Sequence, residues 1–96
     1  MDKNTVFEWD EDKRQSVIAE RGLDFVLYAA GILDDSDVFI VPDERKDYGE
    51  ERYLAYGITD GMRLCLCFSV RGNHVRLITI FKIHKKQWEK HYGKNS

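Results

Sequence analysis

The sequence predicts an α+β fold, an antiparallel sheet of four to five strands with two helices near its N-terminal end and one helix after it. Three observations predict it. Two helical segments near the N-terminus each follow an aspartate suited to capping, and the first of them stops at a glycine. Four apolar runs of strand length follow, and turn signals separate them, among them Asp60-Gly61 and Arg71-Gly72-Asn73-His74. The chain has 96 residues, 43% of them hydrophobic and 12% aromatic, with a single proline, a composition that packs rather than stays disordered. One core suffices at that length, so a single domain over residues 1–96 is expected.

Taken in order, Val6 to Trp9 reads as a short opening strand. Asp10 then caps a helix from Glu11 to Arg21 that ends at Gly22, and Asp24 caps a second from Phe25 to Leu33. In the second helix Phe25, Tyr28, Ala29 and Ile32 recur at helical spacing and should face the sheet. Val38 to Val41 is an apolar strand ended by Pro42, and residues 43–49 form a polar connection. A long hairpin follows, Glu51 to Thr59 and Arg63 to Val70 about Asp60-Gly61, and Val75 to Ile83 is the last strand. His84 to Tyr92 is a cationic helix, and residues 93–96 should fray. The expected order is β-α-α-β-β-β-β-α, a meander with its helices on one face.

The longest apolar runs fall far short of the roughly 20 residues that cross a bilayer, and the first residues lack the apolar stretch of a secretion signal. No membrane association and a cytoplasmic location are expected. Cys65 and Cys67 sit one residue apart in a strand, so both point to one face and read as small core hydrophobes. Three scattered histidines complete no metal-ligand pattern, and no nucleotide loop or nucleophile elbow is present, so no metal and no cofactor is implied.

Net charge is −2, but its distribution is uneven. Residues 1–48 hold 6 Lys/Arg against 13 Asp/Glu, whereas residues 49–96 hold 9 against 4 together with all three histidines. A phosphate-binding face should therefore be built from the second half. Lys13, Glu50, Glu51, Arg52, Arg71, Arg76 and Lys82 lie on or beside predicted elements. Such a set could bind and cleave a phosphodiester without metal, with the ribose 2′-OH as nucleophile, a carboxylate or imidazole as base, and arginines against the charge developing on phosphorus. The same pattern describes the wet face of any antiparallel sheet. Arg76 and Lys82 share strand parity and so one face, yet six residues separate them by about 20 Å, too far to grip one phosphate. Trp9 and Tyr48 could stack bases or simply close the core edge. Trp88 should anchor the last helix, and His74, in a turn, could titrate near neutral pH or merely be exposed.

Read together, Phe7-Glu8-Trp9-Asp10 with Lys13, Gly22 followed by Phe25, the run Asp43 to Arg52 with its Asp47-Tyr48-Gly49-Glu50-Glu51-Arg52, Arg71-Gly72, and Arg76 through Lys82 resemble the BrnT toxins of bacterial type II toxin-antitoxin pairs. The resemblance runs from about Phe7 to Tyr92. It implies a RelE-like fold and a metal-independent ribonuclease that slows growth by cutting RNA. It also implies a BrnA-type antitoxin that neutralises the toxin, the complex binding operator DNA through the antitoxin. Carried over by position, Glu50 would be the base or orienting carboxylate, Arg71 and Arg76 would hold the scissile phosphate, and Lys13 and Lys82 would steer the backbone. Arg52, His74 and Trp9 complete the RNA-binding set.

The chain also departs from the family pattern. Phe81 stands where the family carries a second arginine, and Val17 replaces an asparagine. Glu20-Arg21 replaces Lys-His before the glycine, and Gln87 falls where a glutamate is usual. Two functions follow: an active RNA-cleaving toxin, or a catalytically weak homologue acting as antitoxin-binding partner or corepressor. An unrelated RNA-binding module fits less well, because aromatics and basic residues do not interleave along any one strand.

Overall fold

The computed structural model describes residues 4–45 and 49–91. Tyr48, Asp47 and the segment from Tyr92 onward, singled out in the sequence, lie outside the described residues. The elements run β1 (Val6–Trp9), α1 (Glu11–Arg21), α2 (Phe25–Leu33), β2 (Phe39–Pro42), β3 (Arg52–Thr59), β4 (Met62–Arg71), β5 (His74–Lys82) and α3 (Lys85–His91), which is the expected order.

Local chemistry sets the element ends. The Asp10 carboxylate accepts from the Asp12 and Lys13 backbone N–H groups at 2.9 and 3.2 Å, satisfying donors that the first turn of α1 leaves open. Gly22 closes α1 at a φ of 69°, its N–H donating to the Ile18 carbonyl at 2.8 Å. Asp24 caps α2 through the Val26 N–H, and the same carboxylate receives Arg14 Nε and Nη2 at 2.9 and 2.7 Å. One aspartate thus begins a helix and ties it to the previous one. At the β3–β4 turn Asp60 and Gly61 both take positive φ, 51° and 74°, the pair that a right-twisted two-residue hairpin requires.

The five strands lie in the order β1-β5-β4-β3-β2. Strands β2 to β5 form the expected antiparallel meander, but β1 joins the edge beside β5 and runs parallel to it, Val6 opposite His74 and Glu8 opposite Arg76. A parallel neighbour needs a long crossover, and the whole stretch from α1 to β4 supplies it.

Helices α1 and α2 cover one face of the sheet. There Val17, Phe25, Ala29 and Ile32 meet Leu64, Leu66, Leu77 and Ile80 in the main core. The backbone of α2 comes close to β3: a Cβ added at Gly57 would stand 3.2 Å from Ile32 Cγ2. The other face carries a second cluster of Leu54, Tyr56, Cys65, Cys67 and Ile83, and Trp88 of α3 packs there. All helices on one face was the expectation; α3 instead lies opposite the other two, because Ile83 and Trp88 complete the apolar set on the far side of the sheet.

A bulge changes a second expectation. Phe68 pairs with Leu77 but Cys67 pairs with Thr79, so Ile78 is an extra residue in β5. An inserted residue reverses the alternation beyond it. Arg76 stands opposite Ser69, in the face of Cys65 and Cys67, whereas Lys82 stands opposite Leu64, whose side chain belongs to the helix-covered core. The two cations shared parity in the sequence and occupy opposite faces in the fold.

Candidate functional site

The open face carries a polar end. Registers across four strands align Arg52 of β3, Ser69 of β4, Arg76 of β5 and Glu8 of β1 in one row. The next row toward the sheet end holds Arg71 and His74, which face each other across the two-residue turn Gly72-Asn73. Gly72 has a φ of 60°, the conformation such a turn asks of its first central residue. Asn73 holds β1 in place, its Nδ2 donating to the Asn4 carbonyl and its own carbonyl accepting from the Val6 N–H, both at 2.9 Å.

Around these rows is an open cleft of about 420 Å³, lined by Glu8, Glu50, Glu51, Ser69, Arg71, His74 and Arg76 together with Gly49 and Val70. Arg52 Nε donates to Glu50 Oε1 at 3.1 Å, which turns that carboxylate toward the sheet and leaves its second oxygen as an acceptor. Tyr53 Oη donates to Glu51 Oε2 at 3.0 Å, and this bond to a carboxylate holds the phenol protonated above its ordinary range. Glu8 Oε1 lies 3.3 Å from His74 Nδ1.

Of the residues chosen from sequence, the fold brings Glu50, Glu51, Arg71, Arg76 and His74 into one cleft, with Arg52 bonded to Glu50. It does not bring the others. Lys13 lies in the first turn of α1, on the helix-covered side, and Lys82 projects from that side of β5. Trp9 packs against the main core, and its indole N–H donates to Glu11 Oε1 at 2.9 Å. Glu8 and Ser69 escaped sequence reasoning. Glu8 alternates with the inward Phe7 and Trp9, but only the parallel β1–β5 pairing aims it at the cleft.

The departures noted in sequence have structural uses. Val17 is buried in the main core, and Arg21 Nη1 donates to Thr79 Oγ1 at 2.8 Å and to the Ile80 carbonyl at 3.0 Å, bolting the end of α1 to β5. Phe81 packs on the second cluster and, with Gln87, borders another cleft of about 420 Å³ lined also by Val41, Leu54 and Tyr56. Beside it the wholly buried Asp43 carboxylate receives Arg45 Nε and Nη2, both at 2.8 Å, and the Cys67 thiol at 3.8 Å. Cys65 and Cys67 are buried free thiols, as expected, and burial pushes Cys65 up to about 12. Among the described residues no group of three or more His, Cys, Asp and Glu is placed to hold a metal ion, and no helix is long and apolar enough to cross a membrane.

Two arginines, a carboxylate with a free acceptor oxygen and an imidazole around an open cleft make up the equipment of a phosphodiester-handling site on a small α+β sheet. A family model described as ribonuclease toxin, BrnT, of type II toxin-antitoxin system matches residues 9–87, and the chain belongs to that family. No curated protein and no solved structure matches the chain. As a type II toxin, it has a cognate antitoxin as partner.

Proposed function

We propose that the chain is a RelE-like, metal-independent endoribonuclease that arrests growth by cutting RNA through the ribose 2′-OH, and that a BrnA-type antitoxin neutralises it and carries the complex to operator DNA. The observation supporting this most is the meeting of Glu50, which precedes β3, with Arg71, His74 and Arg76 of the β4–β5 hairpin around one open cleft. Glu50 takes the 2′ proton through the oxygen that Arg52 leaves free, while the 2′-oxygen attacks phosphorus and the bond to the 5′-oxygen breaks. Arg71 and Arg76 hold the phosphate and offset the charge that grows on it in the transition state, a contribution worth about 10²–10³ in rate for one well-placed donor. His74 lies beside them among the RNA-contacting groups. Lys13, Lys82 and Trp9 stand outside the cleft, so they act on flanking backbone or not at all.

The alternative, a weak catalyst kept as antitoxin-binding partner, has one specific observation in its favour: where the resemblance expects an arginine, Phe81 borders a second cleft with Val41, Leu54 and Tyr56 on one side and Asp43, Glu44 and Arg45 on the other. Val17, the other polar-to-apolar departure, does not add to it, since the core accounts for that residue. Inducing the chain without antitoxin in a bacterial host separates the two. Growth arrest with fragmented RNA, both lost in an Arg71→Ala variant that is still soluble, supports the ribonuclease; normal growth with intact RNA leaves the partner.

A further inference from the structure

Phosphate binding and proton removal leave the His74 imidazole of the cleft without a chemical task. The ring stands at the first position of β5, opposite Arg71 and two residues before Arg76 on the same face. Its Nδ1 is 3.3 Å from Glu8 Oε1. That approach is diagonal: in the parallel pair Val6 faces His74 and Glu8 faces Arg76, so the carboxylate of one row reaches the ring of the next. The Asn73 bonds to Asn4 and Val6 pin the register that makes it possible. Both side chains are about half exposed, 48% for His74 and 47% for Glu8, so a substrate can reach the ring.

A carboxylate beside Nδ1 keeps a proton on that nitrogen and makes Nε2 the nitrogen that works on substrate, the arrangement by which a neighbouring carboxylate orients a histidine. Across the cleft Glu50 is tied to Arg52 on one oxygen and acts as an acceptor on the other. A phosphodiester transfer needs two proton movements, one from the nucleophile and one to the leaving oxygen. Glu50 serves the first.

Resting on the ribonuclease reading, we infer that His74 is the general acid of this cleft and that Glu8 is its positioning residue. The ring enters the step carrying protons on both nitrogens. As the 2′-O–P bond forms and the P–5′-O bond breaks, Nε2 gives its proton to the departing 5′-oxygen. The ring is left neutral, with its remaining proton on Nδ1 against Glu8. Glu50 has gained the 2′ proton, the RNA has become a 2′,3′-cyclic phosphate and a 5′-hydroxyl, and exchange with water restores both groups. The charged groups around the ring are Glu8 from β1, Arg71 from β4 and Arg76 on β5, with Glu50 and Glu51 lining the same cleft.

The experiment compares cleavage by the purified full chain of a short RNA and of the same RNA with sulfur in place of the 5′-oxygen at the scissile bond. A thiolate departs without a proton, so it has no use for a general acid. His74→Ala should slow the oxygen substrate about 10²-fold and the sulfur substrate less than about threefold. Glu8→Gln should lower kcat on the oxygen substrate about tenfold at unchanged KM, with the same relief by sulfur. Arg76→Ala should be slow on both. Equal losses for His74→Ala on the two substrates would make the ring a binding group and overturn the assignment, as would full activity on both. If the unaltered chain leaves both RNAs intact, the ribonuclease reading itself falls and the assignment falls with it.

Discussion

On the helix-covered face of the sheet Phe25, Ile32, Leu64, Leu66 and Ile80 are wholly withdrawn from water, and among the described residues no charged side chain is buried with them. On the open face the buried set contains two thiols and sits beside a carboxylate, and toward the β4–β5 turn it gives way to Ser69 and a row of charges. The same strands build both faces. Sealing one face under two helices concentrates the apolar burial that stabilises the fold, which leaves the other free to hold arginines and carboxylates in contact with water. Most of the apolar burial and the row of charges therefore lie on different faces, although a smaller buried cluster shares the face of the cleft.

The strongest way to break that separation is to change one large residue on each side. Phe25→Ala should cost about 3–5 kcal/mol of stability, through lost burial and the cavity left behind, and lower the Tm accordingly. Arg76→Ala, on the open face, should leave stability within about 0.5 kcal/mol while slowing RNA cleavage. Equal thermal shifts for the two variants would show that the polar row around Arg76 carries structure as well.

A smaller effect probes the buried end of the open face. Burial raises the Cys65 thiol from 9.0 to about 12, so the folded chain keeps a proton that the unfolded chain releases. A group whose folded value is raised contributes stability that is complete below its unfolded value. That contribution is lost as pH climbs, here between about pH 9 and about 12. Urea melts across that range should show the decline, and Cys65→Ala should make it shallower, leaving the part that Cys67 and Tyr56, also raised by burial, contribute. In the native protein the thiol should also label slowly with a thiol reagent until denaturant is added.

The smallest effect lies at the rim of the helix-covered face. Arg14 beside Asp24 holds that carboxyl below its ordinary value, with the Val26 N–H adding to the effect. A lowered carboxylate contributes stability above its unfolded value of 3.8, lost as pH falls through the lower folded value. Arg14→Met should lower the Tm slightly near neutrality, because the pair is partly exposed, and should narrow the difference from the unaltered chain in acid melts.

The sequence by itself determined the elements and their ends. The two aspartate caps, the glycine stop and the Asp60-Gly61 turn act within a few residues, so their hydrogen bonds and φ values are legible without knowing what packs where. The same holds for the family, whose motifs are local strings, and for the antiparallel hairpins β3–β4 and β4–β5, which the turn signals Asp60-Gly61 and Gly72-Asn73 mark.

Only the tertiary structure decided which charges meet. The parallel seat of β1 brings Glu8 to His74 and Arg76, and it depends on a crossover spanning most of the chain. The extra residue at Ile78 sends Lys82 to the far face, and nothing in an apolar run of Leu77, Ile78, Ile80 and Phe81 marks which residue is unpaired. Side-chain alternation is a local rule. Strand order and register are set by pairings distant along the chain, where a shift of one residue turns every later side chain over.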